Sequence, residues 1–340
     1  MSETMRAIVF EAPGQVSVKE VPYPAPGPGE VTIEVEACGL CGTDRHLFHG
    51  DFPAQYPLIP GHEFAGVIAE VGLDSGDWHI GDRVTVDPNI ACGQCHFCRS
   101  GHANHCLNHQ AIGVTRDGAF AEFVVVPARN VYAIEEELTF NEAAMVEPLS
   151  CVVYGLQRLR LQAGDQVLIF GAGPMGLLLM QGCKYGGAST VTIVDLNEER
   201  LAVARSLGAT CTVLADDRQE AAIKKITPYG YDVVIDATGV PSVVEGSLQY
   251  LKSGGKLLLF GVCPTEAKIV ISPFEVYRRD LEIIGTFALC HTFDAALALL
   301  QNHVIQVEPL IRPVLSLEDV PAVLKGGRTA LDVLKAMVRP

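Results

Sequence analysis

The chain has 340 residues, is 49% apolar and 19% charged, and carries a formal net charge of −15. That length accommodates two ordinary globular domains, and the acidic balance argues against nonspecific binding to nucleic acid or to an anionic membrane surface. No basic leader with an apolar core and no bilayer-length apolar run is seen, so the expected location is cytoplasmic, and eleven cysteines clustered among histidines there favour metal sites over disulfides.

Residues 5–10 and 16–21 predict two short strands around the Ala12-Pro13-Gly14 turn. Residues 31–37 alternate, with Val31, Ile33, Val35 and Ala37 on one face and Thr32, Glu34 and Glu36 on the other, the period of a half-buried strand. It runs into Cys38-Gly39-Leu40-Cys41-Gly42-Thr43-Asp44-Arg45-His46. Cys38 reads as a small buried hydrophobe. Farther on, Gly61-His62-Glu63 sets an imidazole beside a carboxylate. Cys41, His62 and Glu63 together offer sulfur, nitrogen and oxygen, a donor set suited to zinc; taken singly, a histidine bonded to backbone and a solvent-facing glutamate account for His62 and Glu63 as well. Asp44 and Asp87 are both candidates to accept a hydrogen bond from a ligand imidazole. Thr43 and His46 offer a hydroxyl and an imidazole that can pass a proton outward, although considered alone they fit ordinary structural roles better. Phe52, Tyr56 and Phe120 suit a pocket wall or the core equally. Strands at 64–71 and 83–86, separated by the turn at 76–82, predict a mostly β region.

The spacing Cys92-x2-Cys95-x2-Cys98-x7-Cys106 places four thiols on one loop, enough for a closed tetrahedral zinc site. Such a metal would be structural in a loop with little apolar core. An iron–sulfur cluster, free buried thiols and disulfides are the alternatives. A nucleic-acid zinc finger needs a basic helix face, and the loop has none. Residues 118–126 read as a turn entering a strand, closed by Pro127, and a helix is expected from Asn141 towards Cys151. Glu147 on it is a carboxylate that reaches a metal or, on spacing alone, water.

Leu168-Ile169-Phe170-Gly171-Ala172-Gly173-Pro174-Met175-Gly176 predicts a strand, a glycine turn and a helix, followed by a second strand at 190–194 that ends on Asp195. Gly171 permits the turn, Gly173 admits a pyrophosphate to the backbone, and Gly176 lets the helix pack closely. The helix N-terminus, opened by Pro174 and Met175, favours the phosphates. Asp195 lies 19 positions after Gly176 and suits the ribose hydroxyls of NAD, while it repels the 2′-phosphate of NADP; Arg200 is the cation that can fold back towards it. Helices at 198–207, 243–251 and 274–279 alternate with strands at 231–237, 256–260 and 281–285, which predicts a doubly wound parallel sheet. A helix at 292–301 and strands at 307–314 and 333–338, the last of which also fits a helix, then rejoin the first domain. The expected organisation is a catalytic domain over 1–150 with its cysteine loop at 90–108, a cofactor domain over 151–289, and a return to the catalytic domain over 290–340, with the cofactor in the cleft between them.

Cys-Gly-x-Cys-Gly-Thr-Asp at 38–44, Gly-His-Glu at 61–63, the four-cysteine loop, Glu-Pro-Leu-Ser at 147–150 and Gly-Ala-Gly-Pro-x-Gly at 171–176 follow one another in an order that resembles the zinc-dependent medium-chain dehydrogenase/reductase family, particularly its polyol dehydrogenase branch. The resemblance covers nearly the whole chain. It implies a GroES-like, mostly β catalytic domain plus a Rossmann cofactor domain, NAD as cofactor, two zinc ions per chain, and a homodimer or homotetramer. It implies that Cys41 and His62 bind catalytic zinc, that Glu63 and Glu147 bind it directly or through water, and that Thr43 and His46 relay the proton. Cys92, Cys95, Cys98 and Cys106 correspond to the structural zinc ligands. The implied reaction is reversible oxidation of a secondary hydroxyl of a polyol to a ketone. Ala288-Leu289 stands where animal sorbitol dehydrogenases carry an Arg-Tyr pair, which argues against sorbitol itself. A dehydrogenase for L-threonine or another amino alcohol and a noncatalytic zinc-stabilised NAD-binding protein are the competing readings.

Overall fold

The computed structural model describes residues 3–52, 54–326 and 334–340. The chain divides into two compact units, Met1–Ser150 with Cys290–Pro340, and Cys151–Leu289.

In the first unit, strand Glu30–Gly39 is the hub of a seven-stranded sheet. It pairs antiparallel with Glu63–Val71 along its length, with Phe123–Pro127 near its start, and with Lys335–Val338 at Cys38 and Gly39. Ile311–Leu315 lies beyond Lys335–Val338, and Arg83–Val86 and Val131–Ala133 lie beyond Glu63–Val71. Val31, Ile33, Val35 and Ala37 are buried and Glu34 and Glu36 are exposed, as the alternation requires. Thr32 departs from it: fully buried, it satisfies its hydroxyl by donating to the Pro24 carbonyl at 3.1 Å. Ile33, Phe64, Ile68, Val84 and Phe120 join one apolar core. Phe120 is thus a core residue, and Tyr56 packs against the same core while its hydroxyl donates to the Leu47 carbonyl at 2.5 Å.

The second unit holds six parallel strands in the spatial order Cys211–Leu214, Thr190–Asp195, Gln166–Phe170, Tyr231–Asp236, Leu251–Leu259, Glu282–Gly285. The chain winds outward from Gln166–Phe170 in one direction and then in the other, which is the doubly wound arrangement, and the order reverses beside the end of Phe170. Val167, Leu168 and Ile169 are fully buried, as expected of a central parallel strand covered on both faces.

Some elements differ from expectation. Strand Leu251–Leu259 runs through Gly254 and Gly255 instead of starting after them, because Gly254 adopts φ 77° and absorbs a register shift. Residues 308–310 form a short helical turn before strand Ile311–Leu315, so the segment beginning at 307 is not one strand. Val333 lies outside the described residues, and the strand there is Lys335–Val338, buried throughout. Among the described residues, no helix is long and apolar enough to cross a membrane.

Candidate active site

Where strand Glu30–Gly39 ends, Cys41 caps helix Gly42–His49, and the Asp44 side chain closes the cap by accepting the Cys41 N–H at 2.8 Å. The other Asp44 oxygen faces His62 Nδ1 at 3.6 Å, an ion-pair approach longer than a hydrogen bond, and neither atom has a hydrogen-bond partner. One fully buried carboxylate therefore braces both Cys41 and His62 and leaves the remaining ring nitrogen for a metal. Asp87 does not share this role. It accepts from the backbone and side-chain nitrogens of Asn89 at 2.9 and 3.2 Å. Burial pulls the His62 imidazole down, but the Asp44 charge and the Cys41 sulfur outweigh it, so its pKa ends well above the ordinary value. A dication at the ring would reverse that balance, since ligation needs the neutral form.

Ligand atoms of Cys41, His62 and Glu63 lie within 4.8 Å of one another. Sulfur, imidazole nitrogen and carboxylate oxygen form a set that fits zinc. Glu147, on helix Val146–Leu159, falls outside that set, yet it is 9% exposed and feels the charges of His62, Glu63 and Lys335. Burial above all pushes its carboxyl up to about 7. Lys335, which the sequence motifs do not mark, donates to both Glu63 oxygens at 2.7 and 2.6 Å, and both side chains are buried. Burial pulls this ammonium down, but Glu63 and Cys41 raise it overall. Thr43 Oγ1 lies 3.8 Å from Cys41 Sγ. His46 is on the same helix with its ring 40% exposed, 3.8 Å from Asp51.

The four-cysteine loop is a separate site. Sγ–Sγ distances are 4.0 Å for Cys92–Cys98, 3.5 Å for Cys95–Cys98 and 3.9 Å for Cys95–Cys106. A tetrahedral zinc with Zn–S near 2.3 Å separates its sulfurs by about 3.8 Å, whereas a disulfide needs about 2 Å. Backbone N–H groups of Cys98 and Leu107 draw the Cys95 thiol down to about 6, while desolvation and the bond to Cys95 push Cys98 up to about 12. Four crowded sulfurs ionise together only around a cation, so the set fits a thiolate-bound zinc.

In the second unit, Gly171 sits at φ 99°, and a Cβ at Gly176 would fall 1.8 Å from the Gly171 carbonyl oxygen. A Cβ at Gly173 would meet nothing within 4 Å, so the backbone there faces open space. Helix Pro174–Tyr185 starts on this turn, with Pro174 and Met175 half-buried in its first turn. Asp195 closes the turn by accepting the Ala172 N–H at 2.6 Å and the Asn197 N–H at 2.8 Å, and Arg200 approaches it to 4.0 Å. The turn, the helix N-terminus and the acidic strand end form a cradle for a dinucleotide.

Residues 27–136 match the alcohol dehydrogenase GroES-like domain, and residues 174–302 match the zinc-binding dehydrogenase family. D-arabinitol dehydrogenase 1 of Uromyces fabae is 36% identical over 99% of this chain and 97% of its own length. D-altritol 5-dehydrogenase of Agrobacterium fabrum is 40% identical over 88% of each chain. A structure from Sinorhizobium meliloti, described as a zinc-binding dehydrogenase bound to NADP, superposes with a TM-score of 0.95 at 37% identity and covers 100% of both chains. Sorbitol and L-threonine dehydrogenases also stand among the relatives, so the likeness is not confined to one branch. With a GroES-like unit, a Rossmann unit and relatives matched along almost their full length, the chain belongs to the zinc-dependent medium-chain dehydrogenase/reductase family.

Proposed function

We propose that this protein reversibly oxidises a secondary hydroxyl of a polyol or sugar alcohol to a ketone, with a catalytic zinc and NAD. The observation that carries this reading is the sulfur, nitrogen and oxygen set at Cys41, His62 and Glu63, distinct from the four-thiol loop. A chain that needed zinc only for structure has no use for this second set. Bound at Cys41 and His62, zinc would supply the positive charge that makes a hydroxyl acidic, and NAD would take the hydride.

The chain's own groups do the rest. Asp44 holds Cys41 and His62 in register. Thr43 and His46 are three residues apart on one helix, and hence on one face, so a proton taken by the Thr43 hydroxyl passes to His46, whose ring is 40% exposed, and to water. Glu63 and Glu147 are the carboxylates of the site, and the backbone of the Gly171–Gly176 turn with Pro174 and Met175 receives the pyrophosphate. Asp195 receives the ribose hydroxyls and favours NAD over NADP, while Arg200 tempers that preference. All eleven cysteines are free, which suits a reducing cytoplasm.

The D-arabinitol and D-altritol dehydrogenases among the relatives support a polyol. Ala288 and Leu289 present no charged donor to a hydroxyl-rich chain, which weighs against sorbitol. A second reading, an L-threonine dehydrogenase, is favoured by a relative from Shewanella frigidimarina of that activity, 34% identical over 88% of this chain. A panel of tetritols, pentitols, hexitols, diols and threonine, followed by nicotinamide reduction with NAD and with NADP, separates the two. Polyol turnover with NAD is expected; turnover of threonine alone would transfer the assignment to the second reading, and no turnover of any member would overturn both.

A further inference from the structure

In the second unit, Asp236 ends the strand Tyr231–Asp236 beside Phe170, the last residue before the glycine turn. Asp236 is fully buried, and both of its side-chain oxygens are taken by the two residues at 238 and 239. One oxygen accepts the Thr238 N–H at 3.1 Å and the Thr238 hydroxyl at 2.6 Å, and the other accepts the Gly239 N–H at 3.1 Å. The Thr238 hydroxyl has spent its single proton on Asp236, so it accepts from the Val240 N–H, at 3.0 Å. The Asp236 carbonyl accepts from Phe260 and Gly261 at 3.0 and 2.8 Å, just past the end of the next strand, Leu251–Leu259. One residue therefore fixes two turns, 237–240 and 260–262. The turns lie back to back with no room between them. A Cβ on Gly239, at φ 66°, would lie 2.3 Å from the Val262 carbonyl oxygen, and one on Gly261 would lie 2.2 Å from the Gly239 nitrogen. Thr238 also borders the glycine turn, its Cγ2 3.1 Å from where a Cβ on Gly171 would stand.

A dinucleotide has two halves joined by a pyrophosphate. With the pyrophosphate on the Gly171–Gly176 turn and the adenosine ribose at Asp195, the adenosine half lies over the end of Thr190–Asp195, on one side of Gln166–Phe170. The nicotinamide half then runs to the other side, where Tyr231–Asp236 and Leu251–Leu259 end in these two turns. We propose that Asp236 is a positioning residue for the nicotinamide half of the cofactor. Through Thr238 and Gly239 it holds the turns 237–240 and 260–262 in the shape that receives that half, so the cost of ordering them is met before the ligand arrives. Asp236 itself lies beneath the turns, whereas Thr238 and Val262 are exposed above it. This inference rests on the dinucleotide reading above and adds a residue that the glycine turn and Asp195 leave out.

The test compares NADH with ADP, which carries the adenosine and the pyrophosphate but no nicotinamide half, by calorimetric titration of the full chain. Asp236→Asn keeps the size of the side chain but sets an amide N–H against one of the donors at 238 and 239. Thr238→Val keeps the shape without the hydroxyl, and at an exposed position it leaves the fold intact should Asp236→Asn not fold. Each should weaken NADH by roughly tenfold, the scale of one or two hydrogen bonds, and leave ADP within about twofold of the parent. Thr238→Ser, which restores the hydroxyl, should bind NADH as the parent does. The double variant Asp236→Asn/Thr238→Val should lose less than the product of the two single losses, because both residues act through one chain of bonds. A residue that served only the fold would weaken NADH and ADP together. ADP weakened in step with NADH, NADH affinity unchanged in Thr238→Val, or a double variant that loses the full product would overturn the inference. A parent that binds neither NADH nor ADP would instead remove the dinucleotide reading beneath it.

Discussion

The two metal-ligand sets of the first unit are built in opposite ways. The loop site closes within Cys92 to Cys106, and among the described residues there Cys106 is the only buried apolar side chain, with Phe97 36% exposed. Backbone N–H groups of Cys92 and Asn108 donate to Cys106 Sγ at 3.3 Å, and little apolar surface packs around the four sulfurs. The other set draws Cys41 from a helix start and His62 and Glu63 from the entry to a strand, with Lys335 of the strand Lys335–Val338 bonded to Glu63 beside it. Its frame is the sheet and its apolar core, with Ile33, Phe64 and Ile68 fully buried. On the zinc reading proposed above, the loop would take its order from its metal, whereas the sheet would shape the other site for one.

The strongest way to break this contrast is to remove a loop thiol. Cys98→Ser should release the loop metal and open the loop to proteolysis, since structural zinc contributes on the order of 10 kcal/mol to the segment it organises. Mass spectrometry of limited digests should find cleavage between Cys92 and Cys106 while the metal at Cys41 stays. Loss of both metals on this change would show that the two sites are not independent. Next in size is the brace. Asp44→Asn keeps the shape but removes the charge opposite His62, and metal affinity at Cys41 and His62 should fall about 10- to 100-fold in chelator competition, with the loop metal unaffected. Unchanged affinity would mean that Asp44 only caps its helix.

A further expected effect concerns pH. Glu147 has its carboxyl raised from 4.5 to about 7 by burial. The folded metal-free protein therefore binds a proton there that the unfolded chain has lost, and stability falls as pH rises through that window, by at most a few kcal/mol. Glu147→Gln should flatten the part of the Tm-against-pH curve between about 5 and 7 in metal-free protein. An equal slope in both proteins would place the titration elsewhere.

The same contrast explains what was legible in the sequence. Ligands close together in the chain announce themselves, so the cysteine loop and the Gly171–Gly176 turn could be read from spacing, and the alternation of residues 31–37 followed from one face being buried. Short elements with weak patterns were not legible. Helix Gly42–His49 buries only Asp44, Leu47 and Phe48, and strand Cys211–Leu214 is half-exposed at the sheet edge, so neither imposes a period. Lys335 was invisible for a different reason. A single lysine among apolar neighbours carries no motif, and only strand register brings it to Glu63. Charge counting around Cys41, Glu63 and Glu147 is the one clue in sequence that a buried cation was needed.

The most direct measurement is the zinc content and nicotinamide reduction of Cys41→Ala beside the parent, with whichever alcohol the panel identifies. The account predicts that the variant keeps its loop zinc and its fold, loses the second zinc, and reduces no NAD. A Cys41→Ala protein that retains the parent's zinc content and still turns over the alcohol would contradict it.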